Sequence, residues 1–231
     1  MARSSKEKAQ ETRESILDAA ENVFHDKGVS NTSLTDIAHA AGVTRGAIYW
    51  HFKNKGELFD SMCERVRTPM RVMIEEMADE KTADPLGQLR SGCAFVLGQV
   101  VENPHYRKVL TILFHRCEYV DPEDPILIYQ KEWLAHGMST IRQVLANAKA
   151  KGQLPADIDI HLASLFLHVT FDGLLNSWLF SPGSFDLVQD AKRINGAVLD
   201  SLQGNPALRL ARVQTEPLAT GSGKIVPEPA G

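Results

Sequence analysis

Long hydrophobic runs are missing from this sequence of 231 residues. No uninterrupted apolar stretch approaches the roughly 18 residues that a membrane-spanning helix requires. The N-terminal segment MARSSKEKAQ is positively charged but is followed by TRESILDAAE, so the uncharged apolar core of a signal peptide is missing. We therefore expect a protein that is neither exported nor embedded in a membrane.

Cysteine is scarce, and positive charge is not in excess. Cys63, Cys93 and Cys117 are odd in number and widely spaced, which argues against a disulfide framework and favours a reducing cytoplasm. The formal net charge is −4, so the molecule as a whole does not attract nucleic acid. Any site for a polyanion must therefore be local.

Runs of alternating β-branched residues are also absent, whereas apolar residues recur at helical spacing along most of the chain. This periodicity predicts an all-α fold. The first stripe runs from Ile16 to Phe24 and ends at Gly28, because glycine tolerates the left-handed conformation that terminates helices. Pro69 falls inside the pattern of the fourth helix and predicts a kink or an early end there.

Two short helices follow the first. Ser33 and Asp36 are spaced as a capping box that begins the second helix, and Gly42 breaks it. The third helix is predicted from Thr44 to His51. Two short helices joined by a glycine-containing turn and braced by a longer helix are typical of a helix-turn-helix DNA-binding unit.

The third helix carries an unusual concentration of aromatic residues in the segment VTRGAIYWHFKNKGEL. Ile48 and Phe52 are one turn apart and can face the core, so Trp50 must face away from it. Arg45 and Tyr49 form another one-turn pair on the flank. Such a face suits the major groove of DNA, where arginine can bond to guanine and a tyrosine hydroxyl to phosphate.

Basic residues flank the predicted start of the fourth helix, which Asn54 can cap. Lys53 and Lys55 lie where unpaired backbone N–H groups favour an anion, and they predict a phosphate contact. The alternative is that the aromatic cluster is a hydrophobic plug and the lysines form a solvated turn. For His51, a core or capping role and a phosphate contact both remain open.

The run SLTDIAHAAGVTRGAIYWHFKNKGEL resembles the motif of the TetR family of bacterial transcriptional repressors, with similarity from about Thr12 to Phe59. The segment TRGAIYWHF is similar to the AcrR-type group, which controls multidrug efflux pumps. The resemblance implies that Thr35, Arg45 and Gly46 read bases. It implies DNA contacts at Ser33, Thr35, Thr44, Arg45, Gly46, Tyr49, Trp50, His51 and Lys55, with Tyr49, His51 and Lys55 on phosphates.

Changes in composition divide the chain into four parts. We predict a flexible arm at residues 1–10, the helix-turn-helix domain at 11–56, a helical effector-binding and dimerisation domain at 57–210, and a disordered tail at 211–231. The tail is rich in glycine, proline and small polar residues, which cannot form a core.

Two helices near the C-terminus carry more apolar surface than a small domain needs. The segments at about 160–180 and 185–202 suggest burial against a second chain, although both could be internal core helices. The family resemblance implies that they form the four-helix bundle of a homodimer. Two recognition helices related by a two-fold axis would then read a palindromic double-stranded operator.

Several polar residues lie on otherwise apolar helices in the C-terminal part. They form either an internal hydrogen-bond network or the polar edge of an apolar cavity. The resemblance favours a cavity for a small lipophilic effector, with Asp172 and Asn176 orienting the ligand. The predicted ligand-binding residues are Val96, Leu110, Phe114, His115, Cys117, His168, Asp172 and Asn176.

These features predict a ligand-responsive repressor that controls a multidrug efflux operon and releases its operator when a lipophilic effector binds. The alternative within the family is a regulator of lipid, quorum-signal or catabolic genes. An architectural DNA-binding protein is disfavoured by the negative net charge. A thiol or acid/base enzyme is disfavoured because no nucleophile elbow, glycine-rich phosphate loop or pair of catalytic carboxylates is present. No cofactor and no metal ion are expected.

Overall fold

The computed structural model describes residues 5–119 and 121–210. The α-helices of this part are α1 (Ser5–Lys27), α2 (Leu34–Ala40), α3 (Arg45–His51), α4 (Lys55–Ala78), α5 (Pro85–Glu102), α6 (Pro104–His115), α7 (Pro125–Ala150), α8 (Ile160–Phe180) and α9 (Leu187–Gly204). A 3-10 helix follows at Pro206–Leu208. The described part contains no strand apart from one isolated bridge between Ile158 and Arg209, so the predicted all-α class is confirmed.

Local capping chemistry fixes the three helices at the N-terminal end. Ser33 caps α2 in a full capping box with Asp36, and Thr44 caps α3. Gly28 and Gly42, which have φ values of 82° and 66°, allow the chain to turn after α1 and α2. Side chains from all three helices share one core that includes Ile16, Phe24, Ile37, Ile48 and Phe52.

Helix α4 begins after its cap Asn54 and continues for 24 residues through Pro69. Of the two outcomes predicted at Pro69, the early end is therefore wrong, and the kink stays a prediction. A proline removes one backbone hydrogen bond from a helix interior, but tertiary packing can offset that loss. Buried residues lie on both sides of the proline, with Val66 before it and Met77 after it.

The remaining helices, α5 to α9, form the C-terminal part together with most of α4. One hydrophobic core continues from the N-terminal helices into this part, because Phe24 and Phe59 belong to the same buried cluster as Val109 and Ile112 of α6. A second buried cluster joins α5, α7, α8 and α9. Tightly packed side chains thus join the N-terminal helices to the C-terminal part, so a displacement in one part can be transmitted to the other.

Two predicted boundaries differ from the structure. Residues 5–10, which belong to the flexible arm predicted at 1–10, are instead the first turns of α1, and the buried residues of that helix begin at Ile16. The second C-terminal helix lies two residues later than predicted, at Leu187–Gly204. The tail predicted at 211–231 lies outside the described residues. Within the described residues, no helix is both long and apolar enough to span a bilayer.

Candidate functional site

Helix α3 has one buried and one exposed face. Ile48 is fully buried and Phe52 is 1% exposed, whereas Trp50 is 73% and Tyr49 is 47% exposed. The hydroxyl oxygen of Thr44 accepts a hydrogen bond from the backbone N–H of Ala47 at 3.1 Å and fixes the start of the helix. An indole with so much exposed surface is not a core plug, because burial would remove most of its area from water.

The start of α3 leaves a cation free beside a small residue. Arg45 is exposed, its guanidinium carbon lies 5.7 Å from the ring centroid of Tyr49, and it forms no ion pair with the described residues. A Cβ atom added to Gly46 would meet only the Thr44 hydroxyl, at 3.9 Å. The backbone at Gly46 can therefore approach a partner molecule closely, while the side chain of Arg45 extends beyond the backbone toward the same partner.

Ser33 and Thr35, at the start of α2, differ in how free their hydroxyls are. The Ser33 hydroxyl accepts from the backbone N–H of Asp36 at 3.1 Å and donates to its carboxylate at 2.5 Å. The hydrogen bond from the Ser33 hydroxyl, together with one from the Lys27 ammonium group, holds the pKa of the Asp36 carboxyl well below its usual range. Ser33 is thus primarily a cap, whereas Thr35 is exposed and can reach a partner.

His51 packs against the exposed indole at the end of α3. Its ring lies 4.5 Å from the Trp50 ring in a T-shaped arrangement. Burial, followed by the positive charge of Arg13, lowers the pKa of His51 below its ordinary value. A neutral imidazole offers one N–H donor and no positive charge, so in the free protein His51 presents a hydrogen-bond donor rather than a cation.

Lys55 does not lie free at the start of α4. Its ammonium group donates to the backbone oxygen of Val29 at 2.8 Å and to that of Ser30 at 3.5 Å, which anchors the turn after α1. The carboxylate of Glu57 accepts from the backbone N–H of Lys53 at 2.7 Å, so an internal anion already occupies this helix terminus. The predicted phosphate contact at Lys55 thus has a competing structural role in this conformation.

A cavity of about 420 Å³ lies between helices α4 to α9. Five predicted residues line it, namely Val96, Leu110, Phe114, His168 and Asp172. Sequence reasoning missed several other lining residues, which are Arg67, Met70, Met73, Met77, Tyr106, Gln130, Trp133 and Phe171. A larger groove of about 920 Å³ lies near Asp60 and Thr68, but most of its lining residues are polar or charged and it opens widely to solvent.

Three predicted residues do not line the cavity. Asn176 is exposed because it lies eight residues after His168, and eight helical steps rotate a side chain by about 80°. Leu175, seven residues after His168, remains on the cavity face and is buried. Cys117 donates to the backbone oxygen of Ile112 at 3.4 Å, just after the end of α6.

His115, the third of these residues, packs 5.9 Å from the ring of Phe180. Its Nε2 atom is buried and has no hydrogen-bond partner in the described part of the chain. The side chain therefore lies between α6 and the end of α8 rather than at the cavity wall.

Comparison with known proteins gives matches to both ends of the chain. Residues 16–62 match the family described as bacterial regulatory proteins of the tetR family. Residues 84–204, more than half of the chain, match the C-terminal region of MAATS-type transcriptional repressors. The chain belongs to the TetR family. The predicted family and two-part architecture are thereby confirmed.

Similar TetR-family proteins cover almost the whole chain. The HTH-type transcriptional regulator TtgR of Pseudomonas putida is 39% identical over 209 residues, which are 90% of this chain and 100% of that protein. The crystal structure of NalD, described as the secondary repressor of the MexAB-OprM multidrug efflux pump in Pseudomonas aeruginosa, matches with a TM-score of 0.77 at 35% identity. That match covers 85% of this chain and 99% of NalD.

A second similar structure contains a small molecule. It is the complex of SmeT with triclosan, which matches with a TM-score of 0.76 and 30% identity over 90% of this chain and 98% of that chain. SmeT is described as the repressor of the Stenotrophomonas maltophilia multidrug efflux pump SmeDEF.

The thiols and the His168–Asp172 pair of this TetR-family chain do not form a nucleophilic site. Burial raises the pKa of the Cys63 thiol to about 12 and that of Cys93 to about 11, and it also raises the pKa of Cys117. All three are therefore protonated and poorly nucleophilic at neutral pH. His168 Nε2 lies 3.6 Å from Asp172 Oδ2, and burial raises the pKa of Asp172 while His168 opposes that rise.

Proposed function

We propose that the chain is a dimeric repressor of a multidrug efflux operon, and that a lipophilic effector in the cavity releases it from a palindromic operator. The observation that carries this proposal is the path of α4. The helix begins four residues after the end of α3 and then lines the cavity with Arg67, Met70, Met73 and Met77. One rigid element thus touches both the predicted DNA-reading unit and the effector site.

The exposed face of α3 supports operator binding. Arg45 and Thr35 are free to contact base edges, Gly46 permits close approach, and Tyr49 can donate to a phosphate. The negative net charge disfavours unspecific binding, so affinity must come from this local surface. An operator-bound protein of this kind works in the cytoplasm.

An exposed apolar stripe on α8 supports a dimer. Leu162, Leu165 and Val169 recur at three- and four-residue steps and are 38%, 41% and 52% exposed, and Phe180, eleven residues later and so on the same face, is 79% exposed. Asn176 lies on the same stripe. A contiguous apolar face of this kind is typical of a protein interface, and we propose that it packs against the α8 and α9 helices of a second copy.

The size and lining of the cavity support a lipophilic effector. Ligand pockets generally measure about 300–1,000 Å³ and are largely apolar, as this cavity of about 420 Å³ is. NalD and SmeT, which regulate efflux pumps, share the fold, and SmeT has been crystallised with triclosan. An effector acts through its preference for the conformer that binds DNA poorly, and such coupling is typically ~1–3 kcal/mol.

The test is fluorescence anisotropy of the protein with labelled DNA from upstream of its own gene and with a scrambled duplex, at fixed salt. A panel of lipophilic antimicrobials is added to each complex. We expect binding that prefers the upstream DNA and that at least one compound weakens. Equal affinity for both duplexes would contradict the repressor, whereas specific binding that responds only to lipid, signal or nutrient molecules would contradict efflux control.

A further inference from the structure

A buried arginine in the wall of the cavity forms no ion pair with the described residues. Arg67 of α4 is 3% exposed, and no carboxylate of the described residues lies within 4.0 Å of its guanidinium group. Burial of a positive charge is unfavourable unless the charge is paired and its donors are hydrogen-bonded. The positive charge of Arg67 is therefore not neutralised locally, and an anionic group of a ligand could neutralise it.

Neighbouring side chains hold the guanidinium group in place without neutralising it. The rings of Tyr129 and Trp133 both lie with their centroids 4.6 Å from its central carbon. Nη2 donates to the amide oxygen of Gln130 at 2.8 Å. Of the acidic residues on α4, Glu64 already accepts from the Tyr129 hydroxyl at 2.6 Å and pairs with Arg71 at 3.6 Å. Asp60 interacts with the positive charge of Arg67 only beyond ion-pair distance, and its pKa is raised by burial, which Arg67 opposes.

Two donors beside the cavity remain unused. Nη1 of Arg67 and Nε2 of Gln130 are both buried, and neither has an acceptor at hydrogen-bond distance in the described structure. The hydroxyls of Tyr129 and Tyr119 are polar neighbours of Arg67 and Gln130, respectively, but do not come close enough to satisfy these two donors. Both residues line the cavity, so the unused donors belong to side chains of the cavity wall. Two adjacent N–H donors, one of them charged, match the geometry of an oxyanion or another strong oxygen acceptor.

The charges of the lining favour an anion over a cation. The lining contains three arginines, namely Arg67, Arg71 and Arg90, and one carboxylate, Asp172. That carboxylate faces His168 at 3.6 Å, and Arg71 pairs with acidic residues outside the lining. Arg90 is exposed to solvent, so Arg67 is the lining cation that most needs a partner.

We propose that the cavity selects aromatic acids, which place a carboxylate or phenolate oxygen on Arg67 Nη1 and Gln130 Nε2 and the aromatic body against the apolar wall. This inference rests on the proposed effector role of the same cavity and narrows it to one chemical class. An oxyanion at Arg67 contacts both α4 and α7, because Gln130 and Trp133 belong to α7. Such a ligand therefore acts directly on the helix that follows α3.

The experiment compares three compounds that share one aromatic body. Biphenyl-4-carboxylate, its neutral carboxamide and biphenyl-4-ylmethylammonium are titrated into the full-length protein by isothermal calorimetry. We expect the carboxylate to bind about tenfold more tightly than the carboxamide, with the ammonium compound weakest. A carboxylate that binds no more tightly than the carboxamide overturns the proposal.

Three variants locate the preference. Arg67→Met keeps an unbranched apolar side chain and removes the charge and the N–H donors, and we expect it to lose the tenfold preference while carboxamide binding remains. Arg67→Lys keeps the charge and should retain part of the preference. Arg90→Met, which removes the exposed arginine of the same lining, should leave the order of affinities unchanged. Circular dichroism establishes that each variant is folded.

The outcomes separate this inference from the proposed function. Retention of the carboxylate preference in Arg67→Met overturns the role of Arg67, and its loss in Arg90→Met moves the anion site to Arg90. Tight carboxamide binding without a preference for the acid would leave the cavity as an effector site and remove only the anion assignment. Failure to prefer operator DNA over scrambled DNA would instead remove the repressor role, whatever the calorimetry shows.

Discussion

Replacement of Arg45 by alanine should separate the stability of the protein from its recognition of DNA. Arg45 is the first residue of α3, is exposed and forms no ion pair with the described residues. A cation at a helix N-terminus is disfavoured by the helix dipole by ~0.3–1 kcal/mol, and alanine has the highest helix propensity. The free energy of unfolding should therefore stay the same or rise by a few tenths of a kcal/mol.

Arg45→Ala should instead lower the affinity of the protein for its operator. A bidentate arginine–guanine contact contributes ~1–3 kcal/mol of discrimination, and a symmetric dimer makes that contact in both half-sites. Arg45→Ala should thus weaken binding by ~2–6 kcal/mol per dimer. It should also relax the base preference at one position in each half-site.

Fluorescence anisotropy at constant salt, with the operator and its single-base-pair variants, measures both effects. Arg45→Lys is the matched control, because it keeps the positive charge and loses the planar fork that pairs with guanine. It should resemble Arg45→Ala in specificity while binding more tightly. An Arg45→Ala protein with an unchanged base preference would refute the assignment of Arg45 as a base reader. A large loss of stability would refute the view that Arg45 serves DNA and not the fold.

Three further substitutions test the fold, the pH dependence and the dimer. Ile48→Ala, at a fully buried position two residues before the exposed Trp50, should lower the free energy of unfolding by ~2–5 kcal/mol in urea titrations. Burial raises the pKa of Asp60 from 3.8 to about 6, so the folded state keeps this proton longer than the unfolded chain and loses stability as pH rises between those values. Asp60→Asn should accordingly be more stable than the unsubstituted protein by ~1 kcal/mol at pH 8, after allowance for solvent screening, and equally stable at pH 4; no difference at pH 8 would contradict this. Val169→Glu should produce monomers in light-scattering measurements, whereas Val72→Glu, at a position of similar exposure on α4, should leave the dimer intact.

Features that depend on neighbours in the sequence could be predicted well. The caps of α2 and α4 depend on side chains that bond within three residues, so Ser33 and Asn54 were recognised from sequence spacing, whereas Thr44, predicted as the first residue of the third helix, is the cap of α3. The two faces of α3 follow equally from helical periodicity, because Ile48 and Trp50 are about 200° apart on the helix.

Features that depend on distant contacts could not be predicted in the same way. Lys55 appeared free in the sequence, but its ammonium group bonds to Val29, which is 26 positions earlier. Asn176 was assigned to the cavity by counting turns, although the accumulated rotation places it on the exposed face of α8. Arg67 was missed because charged residues are usually solvated; its position four residues after the buried Cys63 was the available signal.

The most direct test of an effector-controlled operator affinity is the measurement of effector binding by calorimetry to the free protein and to the same protein saturated with operator DNA. Binding free energies are reciprocally linked, so an effector that weakens operator binding by a given factor must itself bind the operator complex more weakly by that factor. We predict a reduction of ~5–150-fold, which corresponds to ~1–3 kcal/mol of coupling. Equal effector affinity for the free and the operator-bound protein would contradict the account.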